Sequence, residues 1–147
     1  MSTEIELTDL LKKYFGFSSF RDNQLEIILS IINQNNNLVI MPTGGGKSLC
    51  YQLSAICMDG MAIIISPLIA LMKNQVDILK GVFEDERIAT LLNSTLSQSD
   101  INIVKQGIST GLTKLLYIAP ESLSKEYNIN FLKNYKISFC LLYTSPS

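Results

Sequence analysis

The sequence predicts an α/β fold, a parallel sheet flanked by helices, and three observations predict it. Five short runs rich in apolar and β-branched residues recur along the 147 residues, each nearly continuous in apolar character, as strands covered on both faces are. Segments with helical spacing lie between them, and repeated strand-helix alternation implies parallel strands joined by right-handed crossovers. The first run leads directly into a glycine-rich turn and then a helical segment, the order of a βα unit.

Each element can be justified in turn. A helix at about Leu7 to Tyr14 and a longer one from about Arg21 to Asn33 precede the sheet, and the polar run NQNNN (Asn33 to Asn37) separates them from it. The strands are expected at Asn37 to Met41, Met61 to Ser66, Ile88 to Asn93, Lys114 to Ala119 and Ile137 to Tyr143. Helical spacing marks Ser48 to Met58, Leu68 to Leu79, Ser97 to Ser109 and Glu121 to Asn134. No internal repeat and no linker interrupts this order, so the chain reads as one layered unit.

Composition narrows the function classes. With 47% apolar and 17% charged residues the chain can bury a real core and is not of the disordered type. Twelve basic against thirteen acidic residues give a formal charge of -1, so charge alone makes no case for a nucleic-acid partner, and that case must come from motifs. The start MSTEIELTDLLKKYFG lacks a basic n-region followed by a long apolar core, and no apolar run approaches the roughly 20 residues of a membrane span. A cytoplasmic protein with no membrane partner is the expectation. Cys50, Cys57 and Cys140 form no C-x-x-C pair and the chain has no histidine, so zinc is not expected. Cys50 and Cys57 stand two helical turns apart, which suits small apolar residues on a buried face.

The turn IMPTGGGKS (Ile40 to Ser48) carries the chemistry. A phosphate loop needs a strand that delivers the chain to the carboxyl edge of a sheet, glycines that let backbone N–H groups converge, and a helix N-terminus facing the anion. Thr43, Gly44, Gly45 and Gly46 supply the turn, Lys47 the point charge for the β- and γ-phosphates, and Ser48 a hydroxyl ligand for Mg²⁺. A nucleoside triphosphate with Mg²⁺ is therefore the expected cofactor. The first glycine of the usual G-x-x-x-x-G-K-[ST] pattern is replaced by Met41.

Five segments, FGFSSFRDNQ (Phe15 to Gln24), VIMPTGGGKSLCYQ (Val39 to Gln52), SPLIALMKNQVDIL (Ser66 to Leu79), LNSTLS (Leu92 to Ser97) and LLYIAPESL (Leu115 to Leu123), resemble in order and spacing those of RecQ-family DNA helicases. The Met-Pro-Thr-Gly-Gly-Gly-Lys-Ser loop is typical of that family. The resemblance implies a RecA-like P-loop NTPase lobe over residues 1–139 and an ATP-driven helicase moving 3′ to 5′ on single-stranded or forked DNA. It further implies that the nucleotide is ATP, that Phe17 stacks on adenine, Gln24 pairs with its edge and Arg21 contacts the nucleotide, while Ser66, Lys73 and Asn74 meet the DNA backbone. Chemically this is sensible: an aromatic face suits a flat base, an amide can both donate and accept, and a basic side chain suits phosphate. Phe20 is instead expected in the core. NQVD (Asn74 to Asp77) lacks the lysine of the guanine-reading motif and lies inside a helix, so it makes no GTPase.

The resemblance breaks near Phe139. Where the family continues into Asp-Glu-Ala-His, with one carboxylate helping to hold Mg²⁺ and the other activating water, this chain reads Tyr143, Thr144, Ser145 and Pro146. Residues 140–147 are thus a tail departing from the family pattern, natural or artefactual, and no catalytic set is complete. The expectation is an ATP-binding lobe deficient in hydrolysis. The rival from another class is a non-catalytic nucleotide- or DNA-binding module that acts as decoy or regulator of a full-length helicase.

Overall fold

Two alternating sets of apolar side chains on the strands divide the molecule into layers. The computed structural model describes residues 4–33, 38–42 and 47–144. In chain order the strands are β1 (Leu38–Pro42), β2 (Met61–Ile65), β3 (Ala89–Leu92), β4 (Leu115–Ile118) and β5 (Ile137–Thr144). All neighbouring pairs are parallel, in the order β1-β5-β2-β4-β3. The helices are α1 (Glu4–Leu10), α2 (Gln24–Asn33), α3 (Lys47–Cys57), α4 (Ile69–Phe83), α5 (Gln98–Ser109), α6 (Pro120–Leu123) and α7 (Glu126–Leu132).

On one face of the sheet Ala62, Ile64, Leu115, Tyr117, Phe139, Leu141 and Tyr143 pack against Tyr51 and Ala55 of α3 and Met72, Val76 and Leu79 of α4. On the other, Met61, Ile63, Leu116 and Ile118 pack against Val104 and Ile108 of α5 and Leu132 of α7. A third cluster, Leu7, Leu11, Ile28, Cys50 and Leu53, stacks the N-terminal helices onto the outside of α3. Cys50 is fully buried there, with Phe20 and Cys57 packed against the same cluster. The strand period of two and the helix period of 3.6 both point apolar groups inward, so each layer is closed by the hydrophobic effect.

Several boundaries differ from the sequence expectation. The first helix begins at Glu4 and its second half is a π-helical turn, Leu11–Phe15, ended by Gly16 at φ 77°. Such a turn preserves the apolar spacing that suggests an ordinary helix. Arg21 to Asn23 form a turn with Asp22 at φ 47°, so α2 starts three residues later than expected. The helix expected over Glu121 to Asn134 is two helices, because Lys125 is extended and Asn128 Nδ2 donates to the Ser122 carbonyl at 2.8 Å. That side-chain bond gives a carbonyl at the end of α6 a partner outside the helix.

β5 lies between β1 and β2, with Met41 opposite Tyr143 and Ile65 opposite Leu142. Residues 140–144 therefore lie in an interior strand of the sheet. Between Met61 and Ile63 of β2 the register shifts by one residue, a bulge that lets both Ile137 and Cys140 face the α5 layer. Gly60 sits at φ 96° just before β2, and a Cβ there would stand 2.7 Å from the Lys136 carbonyl. Only glycine fits such a close left-handed approach.

Candidate nucleotide site

Parallel strands of an open sheet end at one edge, and ligands of such sheets bind beyond it. The chain reaches that edge at Pro42, Ser66, Asn93, Ala119 and Thr144, following the five strands. Thr43, Gly44, Gly45 and Gly46, the glycine turn itself, lie outside the described residues. Lys47 and Ser48 open α3 and are half-buried.

Two corners flank this helix start. At the first, Phe17, Ser19, Arg21, Gln24 and Leu49 line a cavity of about 260 Å³. Phe17 is 49% exposed, and the Arg21 guanidinium lies 6.0 Å from its ring centroid, within range of a cation–π attraction. The turn before α2 fixes Gln24: its Oε1 accepts from the Arg21 backbone N–H at 2.8 Å, while its own N–H donates to the Arg21 carbonyl at 3.0 Å. An amide oxygen has a second lone pair to offer a ligand. The Cys50 thiol donates to the Gln24 carbonyl at 3.8 Å, tying α2 to α3. Burial pushes that thiol up to about 11, against smaller lowering effects of the backbone and Lys47, so it stays a neutral packing group. Leu49 and Ser19 join the predicted trio through the fold. No motif spacing in the sequence singles them out.

At the second corner the Ser48 and Tyr143 hydroxyls share a hydrogen bond of 3.0 Å. Tyr143 is buried at the end of β5, its ring edge-on to Tyr51 with centroids 5.5 Å apart. The Tyr51 and Tyr117 hydroxyls share a further bond of 2.7 Å, and Gln52 Nε2 donates to Tyr117 at 3.4 Å and to Gln75 Oε1 at 2.6 Å. Burial pushes the Tyr51 and Tyr117 hydroxyls well up, so both remain neutral donors and acceptors.

The donor set can be tested against Mg²⁺. Among the described residues no group of three or more His, Cys, Asp or Glu gathers where it could hold a metal, and the group facing Ser48 is a phenol rather than a carboxylate. The site fits an Mg²⁺ carried by nucleotide phosphates and water with one protein hydroxyl. It does not fit one anchored by a protein carboxylate.

The predicted DNA-facing residues separate. Lys73 and Asn74 are exposed on α4. Ser66 is fully buried, and its Oγ accepts from the Leu68 backbone N–H at 3.1 Å, so its side chain holds the turn that launches α4. Asn93 does similar work after β3, where its Oδ1 accepts from the Thr95 N–H at 2.9 Å. Among the described residues no helix is long and apolar enough to cross a membrane.

Comparison with known proteins finds similarity to helicases. The chain is 41% identical over 137 residues to a probable ATP-dependent DNA helicase RecS of Bacillus subtilis, covering 93% of this chain and 27% of that protein. It is 41% identical over 132 residues to the ATP-dependent DNA helicase RecQ of Haemophilus influenzae (88% and 20%). It is 45% identical over 125 residues to the RecQ of Bacillus subtilis (84% and 20%). The chain thus spans 20–27% of the length of these relatives. The family described as DEAD/DEAH box helicase matches residues 21–139, most of the chain and nearly all of the sheet. The chain belongs to the DEAD/DEAH box helicase family.

Proposed function

We propose that this chain is the ATP-binding lobe of a RecQ-type ATP-dependent DNA helicase, which when complete moves 3′ to 5′ on single-stranded or forked DNA and separates its strands. The observation that carries the reading is the cavity in which Phe17, Arg21 and Gln24 meet Leu49, one residue from Ser48. Phe17 stacks on adenine, Gln24 pairs with its edge, and Arg21 and Lys47 meet the phosphates, with Thr43 to Gly46 offering backbone N–H groups. Bound Mg²⁺ neutralises phosphate charge, and Ser48 is the residue that would hold it. Lys73 and Asn74 contact the DNA backbone, and Ser66 sets the turn that presents them.

In this reading the lobe binds ATP and does not turn it over. A general base must sit within hydrogen-bond reach of the attacking water, and Tyr143 and Thr144 stand where the family has its carboxylates. Titrating the purified 147 residues with a fluorescent ATP analogue, and measuring phosphate release with and without single-stranded DNA, tests both halves. Saturable binding lost in Lys47→Ala, with no DNA-stimulated release, is expected. Robust turnover abolished by Lys47→Ala overturns the second half, and absence of saturable binding overturns the first.

The bond between Tyr143 and Ser48 favours a second reading, a non-catalytic module that regulates a full-length helicase. Sequencing the locus past codon 147 separates the two. A reading frame that continues into Asp-Glu-Ala-His and a second lobe excludes the module.

A further inference from the structure

Buried amides are costly unless their hydrogen bonds are met, and one pair spans two functional elements. Gln52 lies on α3 four residues after Ser48, and residues four apart share one helix face, so Ser48, Tyr51 and Gln52 point the same way. Gln52 is 4% exposed, and its Nε2 donates to Gln75 Oε1 at 2.6 Å and to the Tyr117 hydroxyl at 3.4 Å. Tyr117 in turn bonds Tyr51, which packs edge-on to Tyr143, the partner of Ser48. Gln75 follows Asn74 directly on α4, while Lys73 and Asn74 face solvent. Hydrogen bonds and one ring contact thus link the start of α3 to α4, through a layer otherwise built of apolar side chains.

We infer that Gln52 and Gln75 are positioning residues that couple the two sites: the Gln52–Gln75 bond fixes α4 relative to α3, so that nucleotide at Lys47 and Ser48 alters the affinity of Lys73 and Asn74 for a DNA strand, and the strand alters nucleotide affinity in return. The inference rests on the function proposed above. It adds which side chains carry the coupling. A bond of this kind has two states, made and broken, and can therefore be biased from either end. The coupling is reciprocal by thermodynamic necessity. Neither glutamine need touch a ligand; each acts on affinity only through the position of α4 relative to α3.

The test measures the affinity of the 147-residue protein for a fluorescent ATP analogue with and without saturating oligothymidine, and for oligothymidine with and without the analogue. In the wild type each ligand is expected to shift the other's affinity by about tenfold, a common size for such coupling. Gln75→Ala brings both factors close to one while each ligand still binds alone. Gln75→Glu keeps the acceptor oxygen and keeps the factor, an outcome that loss of packing alone does not produce. Gln52→Leu removes the donor without supplying an acceptor to the Gln75 amide, and loses the factor. Coupling that survives in Gln75→Ala, coupling lost in Gln75→Glu, or a factor of one in wild type with both ligands bound overturns the inference. Failure of the wild type to bind either ligand overturns instead the function on which it rests.

Discussion

The two corners beside the start of α3 are built from the same helix and differ in what faces it. At the base corner Phe17, Arg21 and Gln24 converge on Leu49 around an open cavity. At the strand-end corner the facing group is Tyr143, buried, edge-on to Tyr51 and bonded to Ser48. One corner is an open cavity, while the other satisfies its own hydroxyls. In the function proposed above, holding a nucleotide and activating water on it are therefore separable, because they depend on different strands and loops that flank the start of α3.

The largest expected effect comes from the residue common to both corners. Lys47→Ala removes the one charge at the helix start, and hydrogen bonds to charged groups contribute about 1.5–3 kcal/mol, so affinity for the ATP analogue should fall by at least about tenfold. An unchanged affinity would mean that the base corner binds without the phosphate loop, and the comparison would collapse. Phe17→Ala comes next. Stacking of a base on an aromatic ring contributes about 1–3 kcal/mol, so ATP should weaken about fivefold or more, while inorganic triphosphate, which has no base, binds as before.

Much of the fold is legible in the sequence for a physical reason. Strands buried on both faces must be nearly continuous in apolar residues, and all five expected strands form within about a residue of their predicted limits. Phe17, Arg21 and Gln24 could be named only through the resemblance of FGFSSFRDNQ to a family segment, and Leu49, which lines the same cavity, could not be named. What could not be read is contact over long separations. Tyr51 and Tyr117 are 66 residues apart and Ser48 and Tyr143 are 95 apart, and neither pairing leaves a local pattern. The burial of Ser66 was equally hidden, because a serine beside a proline at a strand end looks the same whether it caps a turn or meets a phosphate. The π-helical turn at Leu11–Phe15 escaped since its apolar spacing imitates that of an α-helix.

A smaller effect sharpens the second corner. Tyr143→Asp puts a carboxylate beside Ser48, and Mg²⁺ is commonly held through one or two carboxylates together with phosphates. Affinity for the ATP analogue should then gain a dependence on Mg²⁺ of about a few-fold that the wild type shows only weakly. Isothermal titration with and without a chelator reads this directly. A wild type already as dependent on Mg²⁺ as the variant would show that Tyr143 does not decide how Ser48 meets the metal, and the contrast between the corners would lose its chemical basis.

The smallest effect concerns pH, and it tests whether the base corner is held to α3 as its contacts indicate. Burial keeps the Cys50 thiol protonated up to about 11, above the ordinary 9.0 of a free thiol. Between those values the unfolded chain releases a proton that the folded chain retains, so the folded state binds more protons and stability falls as pH rises. The contribution is fully present below pH 9 and is lost as pH climbs toward about 11. Tyr51, pushed up by burial and by the neighbouring Tyr117 and Tyr143, acts in the same direction. The melting temperature should therefore hold steady near neutrality and decline above pH 9. Cys50→Ala isolates the share of this thiol: it starts from a lower melting temperature, since the thiol packs in the cluster of Leu7, Leu11 and Ile28, but its alkaline decline is shallower. A slope identical to that of the wild type would assign the alkaline loss to the tyrosines beneath Ser48 or to Cys140, whose thiol burial also pushes up, rather than to the thiol beside Gln24.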